Sequence, residues 1–231
     1  MRFLHVRLHA AAHRLPALSA FYGDRLGVEL VDAGESSPGV RVGETQLDFV
    51  AGDGQPFYHF ALLAPGNRFP ELLEWARERT ELLPDRTSGD VVFDFTNWEA
   101  RACYLRDPAG NIVELIAHRG IGETAREGPF AGEELLGVSE LGLVGETAEL
   151  ASVLERELDL EVWAGTVELG RLAFVGEKAR TLILSPEGRP WLPTARGAEA
   201  HPVEAVLSGP PAGDTTIDSR YRIRRTTSAT G

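Results

Sequence analysis

The chain alternates between two hydrophobic periods, and the alternation recurs. Leu4-His5-Val6-Arg7-Leu8 is apolar at every second position, the pattern of a strand with one buried face. Residues 18–30, LSAFYGDRLGVEL, place apolar side chains near i, i+3, i+4 and i+8, the pattern of a helix with one buried stripe. Strands are then predicted over Val28–Val31, Gly39–Val42 and Gln46–Val50, with Gly43-Glu44 as a tight turn. The order restarts with a strand over Phe57–Leu62 and a helix over Phe69–Arg79, whose buried side is Leu72, Leu73, Trp75 and Ala76. Further strands follow near Val91–Phe95, Ala102–Leu105 and Ile112–Ile116. Residues 1–118 thus read as strand-helix-strand-strand-strand, twice.

A third copy spans about 137–185: a strand over Leu141–Val144, a helical pattern over 150–162, and hairpin strands Arg171–Val175 and Thr181–Leu184. A fourth copy starts at His201–Leu207 and breaks at Gly209-Pro210-Pro211-Ala212-Gly213, leaving a basic tail with a short strand at Tyr221–Arg224. Residues 119–134 are polar and Gly-rich and read as a linker. One module cannot cover its own sheet, so modules should pair around a cleft. The expected division is a paired domain over 1–118, the linker 119–134, and a degenerate second domain over 135–231. An incomplete fourth module would leave an open sheet edge. The Arg-rich tail Arg220–Arg225 or a second chain, in a homodimer, is expected to cover it.

Composition narrows the partners. The formal net charge of −12 argues against nucleic acid or an anionic membrane. No apolar run approaches the roughly 20 residues that span a bilayer, and the first residues lack the apolar stretch of a signal peptide. A soluble cytoplasmic protein acting on a small molecule is expected. One cysteine, Cys103, excludes an intrachain disulfide framework and a cysteine-based zinc site.

The candidate chemistry lies in the strands. Alternate strand residues share a face, so His5 lies with Arg7 and His9, Asp48 with Gln46, His59 with Phe57, and Glu114 with Ile112 and Ile116. Each of the first two modules therefore offers a histidine in its first strand and a carboxylate in its last. Pseudo-symmetry would bring the two sets together, and two histidines with one or two carboxylates suit a divalent metal. A cation would offset the cost of burying Glu114 in so apolar a strand. Glu140 stands near the place of His5 in the third module, and the second pair is read as having lost its metal. His118 and His201 are read as surface residues.

The residues that carry a family resemblance are Phe21-Tyr22-Gly23-Asp24-Arg25-Leu26-Gly27, Tyr58-His59-Phe60-Ala61 and Tyr104-x-x-Asp107-Pro108-x-Gly110-Asn111-x-x-Glu114. Together they resemble the vicinal oxygen chelate superfamily of glyoxalase I, extradiol dioxygenases and bleomycin-resistance proteins. The resemblance implies an α+β fold of paired βαβββ modules forming a cupped mixed sheet around a metal cleft, with a second, partly degenerate copy. It implies His5, His59 and Glu114 as metal ligands, with Asp48 at the fourth ligand place used by glyoxalase-like members. Tyr104 and Asp48 are the expected catalytic residues; Arg7, Phe57 and Trp98 are expected to bind substrate.

Three activities compete. An extradiol, catechol-type ring-cleaving dioxygenase, an oxidoreductase using Fe(II) or Mn(II), is the first expectation. It matches Tyr104 but lacks the acid–base histidine upstream, where Asn97 or its neighbours stand. A glyoxalase-type lyase or isomerase using Ni(II), Co(II) or Zn(II) is the second. A non-catalytic small-molecule binding protein of the resistance type is the third.

Overall fold

In the computed structural model, which describes residues 1–32 and 38–227, two mixed sheets carry almost all of the core. The first repeat comprises β1 (Arg2–Ala10), α1 (Leu15–Ala20), β2 (Glu29–Asp32), β3 (Pro38–Val42) and β4 (Thr45–Ala51). The second comprises β5 (His59–Ala64), α2 (Phe69–Arg79), β6 (Phe93–Phe95), β7 (Ala100–Arg106) and β8 (Ile112–His118). The third comprises β9 (Gly137–Val144), α3 (Thr147–Leu158), β10 (Val162–Gly165), β11 (Ala173–Glu177) and β12 (Arg180–Ser185). The fourth has only β13 (Val203–Ser208), β14 (Gly213–Ile217) and β15 (Tyr221–Thr226).

Local chemistry sets the helix limits. Pro16 sits in the first turn of α1, where its missing N–H costs nothing, and a π-helical turn over Phe21–Arg25 extends it. In α3 the Glu146 side chain accepts a hydrogen bond from the Ala148 N–H, and Asp159 closes the other end in the left-handed region at φ 52°.

The modules pair differently from the expected 1–118 unit. The seven-stranded sheet runs β14-β15-β13-β1-β4-β3-β2, joining the first repeat to the fourth. The eight-stranded sheet runs β10-β11-β12-β9-β5-β8-β7-β6, joining the second to the third. The joints are antiparallel: β1 against β13, and β5 against β9. The reason lies in the edges. The first strand of every repeat leaves one side unpaired, and the expectation joined neighbours in sequence, whereas the chain joins inner with inner and outer with outer.

The fourth repeat is more complete than its sequence implies. Residues 209–212 replace its helix, yet its last two strands form, and the Arg-rich tail is itself β15. Helix α3 of the third repeat packs against β14. Gly213 permits this approach, because a Cβ there would stand 2.7 Å from the Glu157 carbonyl oxygen. Arg225 Nη1 then donates to the Leu158 and Asp159 carbonyls at 2.6 and 3.1 Å, satisfying the C-terminus of α3. One apolar cluster runs through both sheets and all three helices; a second occupies one face of the eight-stranded sheet. No helix among the described residues is long and apolar enough to cross a membrane.

Candidate metal centre

The second apolar cluster marks the concave face of the eight-stranded sheet and contains Ile112 and Ile116, the neighbours of Glu114 on its strand. Glu114 is therefore directed inward and is buried. The turn before β8 sets its register. Asp107 Oδ1 accepts from the backbone N–H of Ala109 and of Asn111, at 2.9 and 3.0 Å. Its Oδ2 accepts from Asn111 Nδ2 at 2.8 Å and from the Tyr22 hydroxyl at 3.0 Å. Asn111 Oδ1 in turn accepts from the Tyr58 N–H at 2.8 Å. The turn thereby ties β8 to β5, with His59 opposite Ile112 and Ala61 opposite Glu114. Ala61 also stands opposite Glu140 across the joint with β9. Two strands from different repeats thus carry carboxylates on either side of one small residue.

His59, Glu114 and Glu140 form a buried group whose ligand atoms all lie within 4.8 Å of one another. His59 Nδ1 donates to the Ile112 carbonyl at 3.0 Å, which leaves the Nε2 lone pair toward the carboxylates. That Nε2 lies 3.6 Å from Glu114 Oε2. Burial lowers the His59 pKa to about 4, so the ring is neutral at pH 7. Burial also raises the pKa of both carboxyl groups, and for Glu114 the neighbouring Glu140 charge adds to it. The Tyr104 hydroxyl, directly across the ladder, donates to Glu114 and partly counters that rise. Among the described residues no arginine or lysine pairs with either carboxylate. A neutral imidazole and two uncompensated buried carboxylates fit a divalent cation, which supplies the missing charge.

The surrounding cleft is small, about 70 Å³, and aromatic. Phe95, Trp98, Tyr104, Phe174 and Trp191 line it, with Arg189 as its one lining cation. Trp191 lies 4.8 Å from the His59 ring, centroid to centroid. Gly142 makes room for it: a Cβ there would stand 3.0 Å from both the His59 carbonyl oxygen and the Trp191 ring.

The expected site residues thus divide between two sheets. His59, Glu114, Tyr104 and Trp98 meet in this cleft. Phe57 is buried in the apolar cluster of the same face, under the Arg196 guanidinium at 3.3 Å. His5, Arg7 and Asp48 lie in the seven-stranded sheet. There His5 Nε2 donates to Asp48 Oδ2 at 2.7 Å. Burial raises the Asp48 pKa, but hydrogen bonds from His5 and Gln46 and the charges of His5 and Arg7 outweigh it and leave it lowered. His5 thus stands outside the buried group, and Glu140, read from sequence as a lost ligand, stands inside it. Its signal was present in its place at the first strand of the third repeat. His118, read as a surface residue, is fully buried.

The fourth place of the group is apolar. Glu114 lies two residues beyond Ile112, the partner of His59. The matching residue in β12, two beyond Thr181, the partner of Glu140, is Ile183.

Two curled mixed sheets built from βαβββ repeats are the fold of glyoxalase-like proteins, and the chain has that fold. Glyoxalase I from Zea mays is similar over 97% of this chain and 91% of its own, with a TM-score of 0.60 and 11% identity. A Bacillus subtilis protein described as a candidate dioxygenase is similar over 99% of this chain and 86% of its own, with a TM-score of 0.57 and 14% identity. At such identities the likeness is one of fold. No protein-family model matches the sequence, and no curated protein matches it.

Proposed function

We propose that the cleft is a metal-dependent active site for a small, largely apolar molecule with adjacent oxygens, and that its chemistry is proton transfer of the lyase or isomerase type. The second carboxylate, Glu140, carries this reading. Two histidines and one carboxylate suit the Fe(II) sites of oxygenases, and one histidine with two carboxylates departs from that set. A divalent ion bound there would polarise a substrate oxygen. Tyr104 anchors Glu114; no hydrogen bond holds Glu140 among the described residues, so it is the ligand able to leave a bound ion and to take and return a proton. The aromatic walls exclude water, and Arg189 at the rim can receive an acidic substituent.

Ring cleavage by a dioxygenase is the second reading, favoured by the aromatic lining. It wants an acid–base imidazole beside the metal, and among the described residues His59 is the only histidine lining the cleft. The test is a metal-loaded screen of 2-oxoaldehyde–thiol adducts against catechols in deuterated water, with oxygen consumption recorded. Solvent deuterium in the product without oxygen uptake, lost in Glu140→Gln, is the expected result. Oxygen uptake on catechols would replace it with the second reading. Metal binding without turnover of either class would leave a binding protein.

A further inference from the structure

The seven-stranded sheet repeats the geometry of the metal cup with different chemistry. Ladder register aligns the two. His5 takes the place of His59, and Asp48, two beyond the partner of His5, takes that of Glu114. Across the joint, Arg7 pairs with Glu204 where Ala61 pairs with Glu140. Two beyond the partner of Glu204 stands Arg224, in the place of Ile183. The small residue between the carboxylates and the apolar residue at the fourth place have both become arginines. Arg7 lies 3.9 Å from Asp48 and 3.6 Å from Glu204, so a guanidinium bridges the carboxylates where the other cup gathers uncompensated charge.

With Asp48 and Glu204 satisfied from within, the other cations of this cup remain available. One row of the ladder crosses the sheet: Glu29, Arg41, Gln46, His5, Val206, Arg224 and Asp214. The six from Arg41 to Asp214 line one cavity of about 660 Å³, well within the range of ligand pockets. Asp214 pairs with Arg222. Among the described residues Arg41 donates only to Gln46 Oε1, at 3.4 Å. Arg224 has no carboxylate, hydrogen bond or ion pair among the described residues. In a chain of net charge −12, two guanidinium groups in one concave wall, neither paired with a carboxylate among the described residues, are a local source of positive charge.

We infer that this second cup is a binding site for a small organic anion, a carboxylate or a phosphate ester, held by Arg224 and Arg41 in the row that contains His5. Planar guanidinium forks match both oxyanion geometries. Arg41 and Arg224 stand four strand spacings apart, about 19 Å along a flat sheet, so they grip opposite ends of the cavity. That spacing suits an elongated ligand, and an anion with two charged ends engages both.

Isothermal titration of the full, metal-loaded chain with suberate and with hexane-1,6-diol bisphosphate, using hexane-1,6-diol as uncharged control, tests this without reference to catalysis. Saturable binding of at least one anion is expected, weakening when NaCl is raised from about 50 to 500 mM. The exposed Arg41→Gln/Arg224→Gln double variant should lower that affinity at least tenfold with an unchanged circular dichroism spectrum. Glu140→Gln, in the other cup, should leave it unchanged. Carboxylate binding alone or phosphate binding alone identifies the head group. No saturable binding of either anion, binding that survives the double variant, or binding abolished by Glu140→Gln overturns the inference.

Discussion

Replacing Glu140 by Gln separates the group seen in the fold from the one expected from sequence. The substitution keeps the shape and removes one of three ligating atoms and one of two facing charges. Loss of groups that merely orient ligands costs about 10- to 100-fold in metal affinity, so loss of a ligand should cost about 100-fold or more. At a metal concentration of 100 Kd, binding stabilises the native wild type by about 2.7 kcal/mol. For a chain of this size that is a melting shift of roughly 5–10 °C. At the same metal concentration, a 100-fold weaker variant gains about 0.4 kcal/mol, or roughly 1–2 °C. The metal-free variant should melt no lower than metal-free wild type, because a neutral amide at this position ends the repulsion of two buried carboxylates. The assay is thermal melting of chelator-treated protein with and without Mn(II), run beside His5→Asn. A full metal shift retained in Glu140→Gln but lost in His5→Asn would refute the placement of the centre in the eight-stranded sheet.

Other expectations follow from the same contacts. The His59 pKa is lowered to about 4 in the fold, so the unfolded chain binds its proton first; stability is present above pH 6.5 and lost as pH falls toward 4. The loss is about 3 kcal/mol, read as the difference in urea denaturation between metal-free wild type and His59→Gln at pH 7.5 and 4.5; identical profiles would remove the assignment. Tyr104→Phe deletes the donor to Glu114 and should weaken metal binding about tenfold with little change in metal-free stability; equal affinities in titration would show the hydroxyl idle. Asp107→Ala leaves four donors without their acceptor and should cost at least about 3 kcal/mol in denaturant unfolding, with metal affinity falling alongside; a cost under about 1 kcal/mol would mean the turn does not hold the register. Gly142→Ala pushes a methyl into the Trp191 ring and the His59 carbonyl and should cost about 1–3 kcal/mol, visible also as altered Trp fluorescence; a neutral result would show that Trp191 is loosely held.

Much of this architecture is written locally. The period-two strands, the helical stripe of Leu72, Trp75 and Ala76, and the Asp107–Asn111 turn each depend on residues within a dozen positions, and each appears where the pattern predicts it. Strand alternation also determined that Glu114 shares a face with Ile112 and Ile116, because Cβ direction follows from backbone geometry alone. The resemblance of the Tyr104–Glu114 segment to a known motif carried the fold class.

Tertiary structure alone decided which modules meet. Alternation states which face a residue occupies but says nothing about which strand lies across an edge, and β1 and β13 are some 200 residues apart in the chain. Neighbouring repeats were the natural pair, and that pairing would have joined His5 to Glu114. The inner and outer joints instead gave His59 a carboxylate partner from the third repeat and set Glu204 of the fourth against Arg7. Glu140 was legible as a strand carboxylate in the place of His5. That it faces Glu114 is a property of the β5–β9 register, which no local pattern encodes.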